Sequence, residues 1–282
     1  MSIGVICIAQ NSNGNDYLRM AYFQALSYNI HNKTRNFSVI VDTETHDCIE
    51  QKHIDVFDKI IVLKNDLAKN SKVKMQNECQ VFRYSPYKEW IKTEADMLLC
   101  NPIYFQQMSA APFCFTTNVK TYDGHTITDR SQRKLFDDSL LPNIYSAWCY
   151  FSYDLVVKEF FDTMRIIIDD WSWYRDNYLV NCRYDEPRTD EVYALAVKIL
   201  DLQYKNNILT FTHMKPRLQN LQPNRNWSEQ LSFEVGGDFK PVIGGFKQSI
   251  PFHYVEKTFV TDEILDRYKY EFNRRRSEGL VE

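Results

Sequence analysis

Unbroken apolar runs alternate with segments of helical spacing along the first third of the chain. Three runs rich in β-branched side chains occupy residues 3–9, 37–42 and 58–63, and a helix with Asn15 or Asp16 as its N-cap is expected after the first run. Parallel strands that are covered on both faces read as unbroken apolar runs, whereas half-exposed strands alternate. The pattern therefore predicts an α/β fold in which helices flank a Rossmann-like sheet.

A fourth apolar run, WIKTEADMLL at residues 90–99, follows a short helical stretch around residues 79–82. Beyond it the sequence becomes irregular and rich in aromatic residues, and further strands there make the predicted sheet mixed. The remaining predicted elements are strands at 113–117 and 144–152, a long helix within 154–177, a helix within 188–203 capped by Thr189 or Asp190, a strand that ends at His213, and a closing helix at 261–276.

Composition narrows the class of protein. The chain has 282 residues and a formal net charge of −3, so binding to nucleic acid would need a local basic patch. Its seven cysteines are an odd set with no CxxC pair, and no apolar run reaches transmembrane length. We therefore expect a soluble protein of a reducing cytosol with no membrane partner. The candidate basic patches are Lys64, Lys69, Lys72 and Lys74, and Arg274, Arg275 and Arg276.

Two carboxylates, Glu94 and Asp96, stand one residue apart where the fourth apolar run ends. On a strand, residues i and i+2 point to the same face, so these two charges would repel unless a cation lies between them. One interpretation is a solvated strand end. The other is a site for a divalent cation such as Mn²⁺ or Mg²⁺, which prefers carboxylate oxygens.

Other polar residues follow the first two predicted strands. Ligands of open α/β sheets bind at the carboxyl ends of the strands. Ala9, Asn11 and Ser12 follow the first strand, and Asp42 follows the second. A lone acid after a strand is more often a helix cap, but several polar strand ends at one edge favour a binding site.

The segment SPYKEWIKTEADMLLCNPI resembles the part of GT-A glycosyltransferases in which a strand ends in an acidic D-x-D motif, followed by a hydrophobic pair and an NP turn. The segments AQNSNGNDYLRMAYFQALSYN, RTDEVYALAVKIL and PFHYVEK are similar to those of bacteriophage DNA-modifying glycosyltransferases. The chain departs from the motif at Glu94, which stands where the family has Asp. The resemblance implies one GT-A-like domain over residues 1–282, with a nucleotide-sugar-binding half (1–105) and an acceptor-binding half with a closing segment (106–282).

The resemblance also implies roles for the strand-end residues. A nucleotide sugar, probably a uridine diphosphate sugar, would be held by the residues after strands one and two, and Asp96 with Glu94 would hold the metal. In such enzymes a later histidine often completes the metal shell and a nearby lysine meets the diphosphate. The chain offers His213 with Lys215 and His253 with Lys257, and the late position of the second pair favours His253.

Asp190 and Glu191 occupy the position where the resembling enzymes place an acid beside the acceptor hydroxyl. Either could act as general base or position the sugar, but acids that begin a helix also suit its dipole. The implied acceptor is a hydroxymethylated pyrimidine in double-stranded phage DNA, which would place the protein in the host cytoplasm. A cell-surface glycan or a protein acceptor, and a non-catalytic carbohydrate- or DNA-binding role, are the alternatives, and the oligomeric state is left open.

Overall fold

The computed structural model describes residues 3–71, 74–203 and 208–281. Its strands are β1 (Ile3–Ile8), β2 (Phe37–Val41), β3 (Ile60–Val62), β4 (Glu89–Thr93), β5 (Met97–Leu98), β6 (Phe113–Thr116), β7 (Tyr145–Ser152), β8 (Thr212–His213), β9 (Phe233–Val235), β10 (Pro241–Ile243), β11 (Phe246–Lys247) and β12 (Phe252–His253). Its α-helices are α1 (Tyr17–Asn32), α2 (Thr43–His46), α3 (Gln51–Val56), α4 (Val81–Tyr84), α5 (Lys134–Asp138), α6 (Leu155–Asp169), α7 (Trp171–Tyr178), α8 (Thr189–Ile199) and α9 (Asp262–Ser277).

A six-stranded sheet in the order β3-β2-β1-β4-β7-β6 forms the centre of the fold. Strands β1 to β4 pair in parallel, whereas β7 runs antiparallel to both β4 and β6. The predicted mixed α/β sheet is therefore confirmed. Because β1 to β4 all run in one direction, the segments that follow β1, β2 and β4 meet at the same edge of the sheet.

Two apolar layers cover the sheet, which explains the unbroken apolar runs. In β1, Val5 and Cys7 pack in the layer that contains α1, while Ile6 packs in the layer that contains α6 and α8. All three side chains are fully buried. Successive residues of a strand face opposite sides, so a strand buried on both faces needs no polar position.

The structure corrects several predicted boundaries. The fourth strand ends at Thr93, and residues 97–98 form the separate strand β5 rather than a continuation. The predicted long helix ends at Asp169, and the aromatic segment after it forms a second helix, α7. Helix α1 is capped by Asp16 as predicted, but the N-cap of α8 is Arg188, because the Asp190 carboxylate bonds elsewhere.

A second sheet, β5-β12-β8, places the late part of the chain against the end of β4. His253 in β12 pairs with Met97 in β5 and with His213 in β8. The third sheet, β11-β10-β9, is formed by residues that lie between β8 and β12 in the sequence.

No described helix is both long enough and apolar enough to cross a lipid bilayer. All seven cysteines carry free thiols.

Candidate active site

Glu94, Asp96 and His253 come together at the carboxyl end of β4. Asp96 accepts a backbone hydrogen bond from Tyr254 at 3.2 Å, so the short β5–β12 pairing fixes the distance between the two segments. His253 Nε2 lies 3.2 Å from Asp96 Oδ2 and 3.4 Å from Glu94 Oε2. One ligand atom from each residue lies within 4.8 Å of the other two. We call this group the Glu94–Asp96–His253 cluster.

The cluster fits a divalent cation. Two ligand atoms bound at right angles, each about 2.1 Å from one ion, are about 3 Å apart, which is close to the separations of His253 Nε2 from the two carboxylates. Carboxylate oxygens suit Mg²⁺ and Mn²⁺, and a neutral imidazole is a common further ligand. The two acids reach this geometry from a loop after β4, not from one face of a strand as the sequence predicted.

Charge pairing within the cluster sets its protonation. Burial acts to raise the pKa of Asp96, but His253 and Lys257 outweigh it and hold the pKa of Asp96 well below its usual range. Burial raises the pKa of Glu94, and the negative charge of Asp96 raises that pKa further. For His253, burial acts to lower the pKa, but Asp96 and Glu94 raise it above its ordinary value. A cation bound by the three groups would replace the His253 proton as the partner of the carboxylates.

A cavity of about 330 Å³ opens on one side of the cluster. We call it the Lys257 cavity, because Lys257 lines it and pairs with Asp96. The Lys257 ammonium also lies 5.2 Å from the centre of the Tyr17 ring, which forms part of the wall. The other polar lining residues include Gln10, Ser12, Asn13, Lys74, Glu78 and Thr189.

The residues predicted to hold a nucleoside lie at different depths behind this cavity. Ser12 lines it, but Ala9 is fully buried beneath the wall. The Asn11 side chain accepts from the Leu18 backbone N–H and so orders the start of α1. Asp42 is buried, caps α2 by accepting from Thr45, and accepts from the Gln10 side-chain amide at 2.9 Å. Asp42 therefore orients Gln10, which lines the cavity itself.

A second cavity, of about 340 Å³, lies on the other side of the cluster. Glu94 and Thr189 line both cavities, and His253 of the cluster lines the second one. We call it the Arg188 cavity, because Arg188 also lines it. His213 and Lys215 line this second cavity, away from Lys257. The His213 ring stacks on His253 with centroids 4.9 Å apart and planes at 9°. Burial, and then the nearby His253, lower the pKa of His213, so it is held neutral.

Both acids at the start of α8 line the Arg188 cavity, but their environments differ. Asp190 Oδ2 accepts from Arg133 at 2.5 Å, and Oδ1 accepts from the backbone N–H and the hydroxyl of Ser146 at 2.8 and 2.7 Å. Burial acts to raise the pKa of Asp190, but Arg133 and Ser146 lower it, so the group is ionised. Glu191 is only 7% exposed, and burial and Asp190 raise its pKa. Glu191 is thus the better proton acceptor of the two near neutral pH.

Three further residues of the site are not among those that the sequence analysis names. Ser146 Oγ lies 2.7 Å from Asp190 and 3.4 Å from Glu94, and so connects the two cavities. Arg133, from the segment before α5, is buried and holds Asp190. Lys92, two residues before Glu94, is fully buried and pairs with Glu78 at 2.7 Å. Arg133 and Lys92 become visible as site residues only through the fold.

The two basic patches differ in whether their side chains form ion pairs within the protein. Lys64 and Lys69 are exposed, whereas Lys74 lines the Lys257 cavity and donates to the Ala68 carbonyl. Lys72 lies outside the described residues. The three arginines of α9 are paired within the protein: Arg274 with Glu271 and Glu278, Arg275 with Glu271, and Arg276 with Asp55.

Comparison with known proteins places the fold. No family model and no curated protein sequence matches the chain. The glycosyltransferase GlyE of Streptococcus pneumoniae TIGR4 superposes with a TM-score of 0.52 at 10% identity, over 99% of this chain and 65% of GlyE, so this chain spans just under two thirds of that protein. Galactosyltransferase LgtC, solved with donor and acceptor sugar analogs, superposes with a TM-score of 0.51 at 9% identity, over 99% of this chain and all of LgtC. The chain therefore has a GT-A-like glycosyltransferase fold.

Proposed function

We propose that the protein is a metal-dependent glycosyltransferase that moves a sugar from a nucleotide diphosphate sugar to a hydroxyl acceptor. The observation that carries this proposal is the position of the Glu94–Asp96–His253 cluster at the junction of two cavities. A transferase of this kind needs the diphosphate and the acceptor hydroxyl to meet at one reacting carbon beside the metal. The GT-A-like fold supports the same assignment.

We assign the Lys257 cavity to the nucleotide sugar. Tyr17 offers an aromatic face to a nucleobase, for which we keep uracil, and Gln10 and Ser12 offer hydrogen bonds to the nucleoside. Lys257 can exchange its contact with Asp96 for one with the diphosphate. Asn11 and Asp42 support this wall from behind, by ordering α1 and orienting Gln10.

The Arg188 cavity is assigned to the acceptor. Glu191 would accept the proton of the attacking hydroxyl, and the ionised Asp190, fixed by Arg133 and Ser146, would position that hydroxyl or the transferred sugar. Mn²⁺ or Mg²⁺ held by the cluster would supply Lewis-acid stabilisation of the departing diphosphate. His213 packs behind His253 and keeps its ring oriented.

For the acceptor molecule we keep the hydroxymethylated pyrimidine of double-stranded DNA as the proposal that comes from the sequence resemblance. The exposed Lys64 and Lys69 support it, whereas the paired arginines of α9 do not. The two-half organisation, with residues 1–105 for the sugar donor and 106–282 for the acceptor, is also a proposal. It is supported by the lining of the Arg188 cavity, which comes mostly from the second half. Seven free thiols fit the proposed cytosolic location.

The experiment that tests the function measures thermal stability with uridine diphosphate, with Mn²⁺, and with both together. A ligand that binds only the folded state raises the melting temperature, and an intact site responds to the pair far more than to either alone. Metal-dependent hydrolysis of a panel of nucleotide sugars then identifies the sugar donor. A response to the nucleotide and metal without hydrolysis or transfer would indicate a binding protein instead of an enzyme. No response to any nucleotide with either metal would overturn the proposal.

A further inference from the structure

Two cations on the wall of the Arg188 cavity have no role in the reaction described above. Arg188, the residue before α8, and Lys215, the second residue after β8, are both exposed and both line this cavity. The Arg188 guanidinium carbon lies 3.3 Å from the centre of the Tyr184 ring, so the ring holds the planar group in place. Among residues 3–71, 74–203 and 208–281, none accepts a hydrogen bond from its edge, which carries the N–H donors.

A third cation of the same cavity, Arg133, shows the contrast. Arg133 donates to the Asp190 carboxylate, to the Asn143 side chain and to the Ile144 carbonyl, so its hydrogen-bonding capacity is used within the protein. Among the residues that the structure describes, no carboxylate forms an ion pair with Arg188 or Lys215. The two lie close enough that Arg188, after burial, lowers the pKa of Lys215. Like charges kept near each other in a concave surface favour an anionic ligand.

Three carboxylates also line the cavity, Glu94, Asp190 and Glu191, and Asp190, which is paired with Arg133, lies close enough to Lys215 to raise the pKa of that lysine. Glu94 lines both cavities, and Ser146 Oγ joins it to Asp190, so these two acids mark the junction with the Lys257 cavity. An anionic group placed at the junction would be repelled by them, whereas a hydroxyl there finds hydrogen-bond acceptors. A ligand whose anionic group binds Arg188 and Lys215 can therefore place its hydroxyl at the junction.

We propose that Arg188 and Lys215 form a phosphate-binding subsite of the acceptor cavity, and that the acceptor carries a phosphate group. Arginine can bind two phosphate oxygens through its planar fork, and lysine adds a mobile point charge. The proposal rests on the assignment of this cavity to the acceptor. The phosphate can belong to the phosphodiester backbone of a polynucleotide or to a small phosphorylated acceptor, and the test separates these two sources.

The test measures binding with the Lys257 cavity occupied by saturating uridine diphosphate and Mn²⁺, so that added phosphates report on the other cavity. The probes are glucose and glucose 6-phosphate, 5-hydroxymethyl-2′-deoxycytidine and its 5′-monophosphate, and a short duplex that contains this base. We expect at least one phosphorylated probe to bind about tenfold or more tightly than its neutral counterpart, because each charge-assisted hydrogen bond favours it. We expect Arg188→Gln combined with Lys215→Gln to abolish the preference and to leave the affinity for uridine diphosphate and Mn²⁺ unchanged.

Arg217→Gln is the matched control, because Arg217 is exposed and near Lys215 but does not line the cavity. Tighter binding of the duplex than of the monophosphate assigns the phosphodiester, and the reverse order assigns a small phosphorylated acceptor. Equal affinity of the double variant and the wild type for every phosphorylated probe would overturn the subsite while leaving the proposed function intact. Absence of uridine diphosphate binding would overturn the proposed function, and a phosphate preference that depends on Arg188 and Lys215 would still support the subsite.

Discussion

Lys92 Nζ lies 2.7 Å from Glu78 Oε2, in a pair whose lysine side chain is fully buried and whose glutamate side chain is 13% exposed. Glu78 also lines the Lys257 cavity, so the pair lies directly beneath the proposed sugar-donor site. Burial acts to lower the pKa of Lys92, but Glu78 and Glu94 outweigh it and raise the pKa above the ordinary value. Lys92 thus stays charged and fixes the Glu78 carboxylate in the cavity wall.

Lys92→Met leaves the Glu78 carboxylate buried without its partner. Removing one member of a buried ion pair costs on the order of 3–5 kcal/mol, and we expect a loss of unfolding free energy of that size. Urea denaturation of the wild type and the variant measures it, provided that the slope of the unfolding transition is unchanged.

The double variant Lys92→Met with Glu78→Gln is the control, because it removes both charges together. We expect it to recover most of the lost stability, since an uncharged buried pair has no uncompensated carboxylate. Equal stability of the single and double variants would show that packing around Lys92, including its contact with the Tyr193 ring, matters more than the charge pair.

Asp96→Asn preserves the shape of the proposed metal ligand and removes its charge. Loss of residues that only orient metal ligands weakens binding about 10- to 100-fold, so we expect loss of a ligand charge to weaken Mn²⁺ binding by at least about 100-fold. Titration of Mn²⁺ in the presence of uridine diphosphate measures this change, and transfer activity should fall with it.

The matched control is Asp238→Asn, which removes an exposed aspartate that also pairs with a lysine, Lys247, at 3.0 Å. An exposed ion pair contributes about 0–1 kcal/mol, so metal binding and folding should both stay close to those of the wild type. Wild-type turnover in excess chelator, or unchanged Mn²⁺ affinity of Asp96→Asn, would contradict the metal site.

The central sheet could be predicted because local pattern and tertiary burial agree there. Strands β1 and β2 are covered on both faces, so apart from Ser38 their sequences hold no polar side chain and cannot be confused with half-exposed strands. The end of β4 could not be placed in the same way, because the apolar residues 97–99 read as a continuation of the strand beyond the two acids. The chain leaves the sheet there to pair with β12, a partner far away in sequence.

The candidate site likewise contains residues that the sequence indicates and residues that only the fold reveals. Asp96, Glu94 and His253 were predictable because metal ligands are limited to a few residue types and a family resemblance ordered them. The sequence did not indicate which cavity each lysine would line, and β8 delivers His213 and Lys215 to the Arg188 cavity. Arg133 and Lys92 act through buried pairs with partners distant in sequence, which no local spacing records.

His253→Ala and His213→Ala separate ligation from packing. The two rings stack on each other and each packs against Phe211, so either change removes similar contacts and should destabilise the fold to a similar extent. Only His253 faces the two carboxylates, so we expect its removal alone to weaken Mn²⁺ binding, by at least about tenfold. Calorimetric titration of Mn²⁺ with uridine diphosphate measures the difference. The opposite result, with only His213→Ala weakened, would reverse the assignment.

Lys64→Gln combined with Lys69→Gln tests the proposed DNA surface. Both lysines are exposed, so we expect the change to weaken duplex binding and to lower the dependence of affinity on salt by about one to two released ions. Binding of uridine diphosphate with Mn²⁺ should stay unchanged. The measurement is duplex affinity across a series of salt concentrations. An unchanged salt dependence would remove these two lysines from any DNA-binding surface.

His31, in the last turn of α1, should make the stability of the protein depend on pH. Burial, helped by the nearby cations Lys240 and Arg275 and opposed by the Phe239 carbonyl and Asp238, lowers its pKa from 6.5 to about 4. The unfolded chain therefore takes up a proton near pH 6.5 that the folded protein takes up only near pH 4. Stability is fully present above pH 6.5 and falls as the pH decreases through that window, by about 2–3 kcal/mol in total.

His31→Gln isolates this contribution, because glutamine retains a donor for the Phe239 carbonyl, which lies 3.3 Å from His31 Nε2, but takes up no proton. Asp238 and the other acids titrate in both proteins, so their effects cancel in the difference between wild type and variant. Urea denaturation between pH 4 and pH 7 measures the unfolding free energy of each. We expect the wild type to lose stability more steeply than the variant as the pH falls, since only its unfolded state gains the additional proton. Parallel curves over the whole range would show that His31 titrates alike in the folded and unfolded states.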